Sequence, residues 1–184
     1  MLGDGELKAQ LLAHCQKLGL HAIESAPWEV SSSSKIQNPK SKIVYFPGFR
    51  QIGELPRFYA HAGAFVHAST TEQWGLVVNE AMACGLPVIV SNRVGCAQDL
   101  VQEGVNGFTF DPYNVEPLAG LMRKVSATDF PLSAFGDASR TIIADWGPER
   151  FASGLKQAVD CALKVGPKRA SLLQRLILRA LLWR

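Results

Sequence analysis

Two glutamates and a glycine, Glu72, Gly75 and Glu80, stand in one stretch, TEQWGLVVNEAMACGLPVIVS over residues 71–91. Their spacing could hold an anion. Glu72 comes just before a predicted helix start, where backbone N–H groups point outward and the macrodipole favours negative charge. Gly75 would let a ligand approach that backbone closely. Glu80 lies inside the helix, and its neighbours at i−4, i−3, i+3 and i+4 are Leu76, Val77, Ala83 and Cys84, all apolar. A carboxylate on such a stripe loses hydration and is usually kept only where something polar meets it. From Gly75 to Glu80 the axis advances about 7–8 Å, roughly the reach from a diphosphate to a ribose. The plainer reading makes Glu72 a helix N-terminal charge and Glu80 an exposed residue.

The elements that must position these residues follow from punctuation and period. The helix is expected to begin near Trp74 and Gly75 and to end at Cys84, with Gly85 as left-handed cap and Pro87 beyond it. Residues 6–18 repeat apolar side chains at helical spacing (Leu7, Leu11, Leu12, Cys15, Leu18) and stop at Gly19. Residues 29–42 read as a polar exposed loop. Short apolar runs at 42–46, 64–68, 87–91 and 108–110 read as strands. Helices are expected over 54–62, 115–127 with Asn114 as its cap, 132–144 and 148–164. Strands alternating with helices imply an α/β fold, a Rossmann-like parallel sheet whose ligands bind at the carboxyl ends of strands. The loop 69–75 lies at such an end.

Composition narrows the class. A chain of 184 residues, 47% hydrophobic, can bury a core. It has no run of 18 apolar residues to span a membrane and no basic-then-apolar leader at its N-terminus. Cys15, Cys84, Cys96 and Cys161 lack metal or redox spacing, so a reduced, cytoplasmic protein without a metal site is expected. Cys84 and Cys161 read as small hydrophobes on helix faces. The net charge of +3 is uneven: residues 164–184 hold six basic residues and no acid, leaving 13 basic against 16 acidic over residues 1–163.

Glu72, seven residues, Glu80, then AMACGLPVIVS and Gly95 resembles the Glu-x(7)-Glu signature of retaining GT-B glycosyltransferases of family 4 (glycosyl transferases group 1). GDGELKAQLL from Gly3 is similar to that family's glycine turn and helix, LPRFYAHAGAFVHAS to its helix and strand, and GVNGFTFDP to the segment after the donor site. The resemblance covers about residues 1–163, expected as a partial nucleotide-sugar-binding (donor) domain, with 164–184 as a basic amphipathic tail. It implies that Glu80 accepts hydrogen bonds from the donor's ribose diol. Glu72 would contact the donor sugar and stabilise positive charge at its anomeric carbon, and the amides of Gly75, Leu76 and Val77 would hold sugar and diphosphate. Gly3 and Arg50 join the donor-binding candidates, Arg50 through the base or phosphate. Configuration would be retained, with a nucleotide-diphosphate sugar as substrate and no metal. The family's acceptor domain and the basic Arg/Lys pair of its first donor strand–helix unit have no counterpart here, so the chain reads as a truncated donor half.

Other readings stay beside this one. The chain could be a non-catalytic nucleotide-sugar-binding or partner module, or an epimerase on a similar fold; no Gly-x-Gly-x-x-Gly follows a strand to suggest a dinucleotide oxidoreductase. Gly95 and Gly107 read as turn glycines, Asp99 as a cap or surface acid, and Trp74, Phe58 and Tyr59 as packing residues. His67 reads as a satisfied structural histidine. The tail sequence SLLQRLILRALLWR, residues 171–184, places leucines on one helical face and arginines on another. That pattern suits an anionic membrane surface at the cytoplasmic face, or a helix packed on protein.

Overall fold

A computed structural model describes residues 5–29, 42–166 and 171–182. Their backbone divides into two units, Met1–Ala62 and Gly63–Arg184, a boundary inside the span read as one donor domain. Most of the polar loop expected over 29–42 lies outside the described residues. The fold is α/β with parallel sheets flanked by helices, as expected, and its described strands pair in two ladders.

The first unit runs α1 (Lys8–Lys17), β1 (His21–Ile23), β2 (Ile43–Tyr45) and α2 (Leu55–Ala60). Gly19 ends α1 with φ +65°, and Leu20 N–H returns 2.9 Å to Cys15 O. That six-to-one bond is the signature of a glycine-terminated helix. β1, which the sequence did not announce, pairs in parallel with β2, Ala22 opposite Val44. Of the five apolar positions along residues 7–18 only Cys15 is buried; Leu7 and Leu18 are exposed, so the helical period here marks a helix without a matching core. Among its described residues the buried set is small, Cys15, Ala26, Phe46 and Tyr59, supplemented by Trp28 tilted on Phe58 at 4.6 Å.

The second unit carries the main core. β3 (Phe65–His67), β4 (Val88–Ser91) and β5 (Gly107–Phe110) form a parallel sheet in the order β3-β4-β5. All four residues of the central β4 are buried. At about 1.5–3 kcal/mol for each fully buried valine or isoleucine, this strand anchors the unit. Ile89, Phe108, Phe110, Val125 and Phe135 form one cluster with Phe130 against it. It joins the sheet to α5 (Val115–Val125) and α6 (Leu132–Ala144). Asn114 caps α5 as expected, its Oδ1 accepting from Glu116 N–H at 3.3 Å.

α3 (Leu76–Ala83) packs on α6 through glycine. A Cβ on Gly136 would stand 2.2 Å from Gly85 O, so the helices meet backbone to backbone. The buried Ser139 hydroxyl then donates to Leu86 O at 2.7 Å, fixing the turn that leaves α3. Gly85 adopts φ +76° there, with Leu86 N–H 3.1 Å from Ala81 O, as the sequence predicts. A short helix not read from the sequence, α4 (Ala97–Leu100), follows β4; α7 (Pro148–Val165) and α8 (Leu172–Leu182) close the chain. Gly107 is no turn glycine. It opens β5, where a Cβ would meet Val88 O at 2.0 Å.

Candidate functional site

Parallel strands leave their carboxyl ends at one edge, and the loop after β3 carries the site. Glu72 pairs in a bridge with Val94, and its carbonyl accepts Gly95 N–H at 3.0 Å. Two residues on, Cys96 N–H donates to Trp74 O, also at 3.0 Å. The loop is therefore zipped to the segment after β4. This contact explains Gly95: a Cβ there would fall 1.8 Å from Gln73 O. Gly95 stands in the turn its sequence context suggested, closed by Ala97 N–H on Val94 O at 3.0 Å, and it also permits this close backbone approach. Glu72 itself is half-buried.

Gly75 is buried with φ +95°, a conformation that L side chains rarely adopt, and it directly precedes α3. A Cβ on it would meet Val94 Cγ1 at 2.7 Å. The glycine is thus required by handedness and by Val94, whether or not a ligand approaches it. No side chain caps α3 and no acid occupies its first turn. Val78 N–H bonds to Gly75 O, while Leu76 and Val77 precede any possible intrahelical acceptor for their N–H groups. Beneath lies Cys96, its Sγ 3.9 Å from Gly75 O; burial pushes this thiol up to about 11.

Glu80 sits one turn along the same helix, half-buried. The apolar stripe inferred around it is not a desolvated one. Leu76 is 68% exposed, Ala83 and Cys84 are exposed, and α3 buries Val78, Ala81 and Met82 instead. The helix turns its Glu80 face outward because the other face meets α6 and the sheet. Cys84 and Cys161, read as small hydrophobes, are exposed, while Cys15 and Cys96 are the buried thiols.

The structure brings Glu72, Gly75, Leu76, Val77 and Glu80 together at the start of α3. Arg50 belongs to the other unit, fully engaged. Its guanidinium holds Glu29 through two bonds, 2.6 and 2.8 Å, and reaches Glu54 at 3.1 Å, with Nε on Pro47 O. The Arg50 hydrogen bonds hold the Glu29 carboxyl below its ordinary range. Gly3 lies outside the described residues.

Two features at the site were missed. His67, ending β3, keeps Nε2 buried with no hydrogen-bond partner, against the satisfied role expected of it. Burial lowers its pKa from 6.5, opposed by the nearby Glu72 carboxylate. Trp74, whose Nε1 donates to Asn79 Oδ1 at 3.1 Å, leans on Trp146 at 5.5 Å, and Arg150 lies 4.2 Å over the Trp146 ring. Only the bare WGPER sequence at residues 146–150 could have signalled that cluster. Among the described residues no three His, Cys, Asp or Glu gather to hold a metal. A separate cavity of ≈ 440 Å³, walled by Ala64, Val66, Met122, Val125 and Phe130 among others, includes none of the site residues.

The family model "Glycosyl transferases group 1" matches residues 30–141. Sucrose synthase 2 of Pisum sativum is 44% identical over 71 residues, 38% of this chain and 9% of that protein. Sulfoquinovosyl transferase SQD2 of Arabidopsis thaliana is 39% identical over 170 residues, covering 79% of this chain and 32% of the relative. Sucrose-phosphate synthase from Thermosynechococcus elongatus shares the fold with a TM-score of 0.59 at 24% identity, across 90% of this chain and 45% of that one. HepE of Anabaena, solved with UDP-glucose, superposes at 0.62 and 23% identity over 88% of this chain and 40% of its own. The chain thus spans less than half the length of each of these proteins.

Proposed function

Because the chain belongs to the glycosyl transferases group 1 family, we propose that it forms the donor-binding part of a glycosyltransferase. Its donor in this reading is a nucleotide-diphosphate sugar, and transfer retains the anomeric configuration. One observation carries the assignment: an uncapped start of α3, entered through a left-handed glycine, with Glu72 zipped beside it and Glu80 on the helix's outward face.

Each part then has a job. The N–H groups of Leu76 and Val77, with the helix dipole behind them, receive negative charge from the diphosphate as the glycosidic bond breaks. Such preorganised donors cost no reorganisation at the moment charge develops. Glu72 offers its carboxylate to the sugar and to positive charge at the anomeric carbon. Glu80 accepts the ribose diol, and its two charge-assisted bonds set the nucleotide's register along α3. In this reading no metal takes part. Arg50, bound to two carboxylates, is a weaker candidate for the phosphates than its sequence position suggested.

The test is a titration of UDP-glucose into the isotope-labelled chain, followed by amide shifts. Leu76 and Val77 should move most, and Glu80→Gln should weaken binding by about ten- to a hundredfold, the loss of one hydrogen bond to a charged group at roughly 1.5–3 kcal/mol. Equal affinity in the variant would remove the ribose role. No shift at α3 in the wild-type chain at millimolar ligand would remove the site.

A further inference from the structure

Residues 164–184 carry six basic side chains and no acid, beside a remainder that is net acidic. Within that segment α8 is helical, and its Leu176, Ile177, Leu178 and Leu181 are 62%, 51%, 55% and 66% exposed. Arg179, in its last turn, is exposed as well. A contrast within the molecule shows what this charge adds. α7 also leaves an apolar stripe open, with Phe151 74%, Leu155 55%, Val159 48% and Leu163 75% exposed. Its polar side is of mixed sign, with Lys156 bonded to Asp160 at 2.9 Å. Nothing in the charge of α7 selects an occupant. In α8 the only charged residues are arginines, Arg175 and Arg179.

We propose that α8 docks in the interface of an anionic lipid bilayer. An apolar stripe edged by cations matches a surface that is apolar within and negative outside. Length decides the mode. The 11 residues of α8 reach about 16 Å, half of a hydrocarbon core of about 30 Å. No described helix is long and apolar enough to cross a membrane. The helix therefore lies in the plane of the interface. Trp183, next in sequence after α8, is a residue type that favours that depth. The proposal is independent of glycosyl transfer; it concerns where the donor site is held and leaves its chemistry aside.

The whole 184-residue chain should sediment with vesicles of phosphatidylcholine and phosphatidylserine, and added salt should release it. Vesicles of phosphatidylcholine alone should leave it in solution. Arg175→Gln with Arg179→Gln should weaken binding roughly thirtyfold, about five- to sixfold for each charge near the surface. Leu176→Ser with Leu181→Ser should abolish it while far-ultraviolet ellipticity and UDP-glucose binding stay unchanged. Equal sedimentation with neutral vesicles, or none with anionic ones, overturns the proposal. So does a concentration-dependent dimer in sedimentation velocity that the leucine variant dissolves while vesicle binding persists, for then the face docks a second copy.

Discussion

At the scale of single residues, His67 ties stability to acidity near neutral pH. Its Nε2 is buried without a partner, and burial holds its pKa below 6.5. Proton binding is therefore weaker in the folded state than in the unfolded chain. Between the two pKa values the unfolded state takes up more protons, so stability rises with pH in that window. The contribution is complete above about 6.5 and is lost as pH falls through the lower, folded value. His67→Phe should make the melting temperature less sensitive to acid over that window, because the ring then has no proton to bind. Melting curves of both proteins across the window test this; parallel curves would show that another group dominates. The same side chain marks a limit of reading the sequence. A histidine at a strand end looks the same whether or not its ring nitrogens find partners. That depends on loop 69–75, whose path is set by its backbone bonds to residues 94–96.

At the scale of elements, α3 and α6 make the sharpest case. Glycine inside a helix usually costs about 1 kcal/mol relative to alanine, so Gly136→Ala would ordinarily stabilise. Here the new Cβ would stand 2.2 Å from Gly85 O, and overpacking of this kind costs typically 1–3 kcal/mol. The clash wins or at least cancels the gain. The melting temperature should fall or stay level, and a clear rise would show that α6 can shift away. Elements with strong punctuation were legible: α3 with Gly85 and Pro87, α5 with Asn114, and α6, whose bounds match the expectation. β1 and α4 were not: His21–Ile23 holds a single β-branched residue, unlike the apolar β-formers of the other strands, and Ala97–Leu100 is one helical turn. The site's backbone was legible too, through Glu72 and Glu80, but the face of α3 was misjudged. Val78, Ala81 and Met82 are as apolar as the residues around Glu80, and α6 decides between the two stripes.

At the scale of the molecule, the two units differ in how much they bury. The second holds an enclosed strand and an aromatic cluster, whereas the described residues of the first show two three-residue strands and a handful of buried side chains. A two-stranded ladder is marginal by itself, and local opening tracks the density of buried apolar contacts. Native-state hydrogen exchange should therefore protect the amides of Val88, Ile89 and Val90 longest, while those of Ala22 and Val44 exchange orders of magnitude sooner. Uniform protection across both ladders would mean that the units open together.

The thiols give this arrangement a practical side. Cys84 is exposed one helical turn beyond Glu80, Cys96 is buried under Gly75 with its proton retained, and Cys15 is buried in the other unit. A maleimide dye will thus find Cys84 and Cys161 and pass over the other two. With Cys161→Ser, a single fluorophore stands at the rim of the candidate site. On the proposed donor role, the protein would then report a nucleotide's arrival through its own native cysteine, with the scaffold beneath the site untouched.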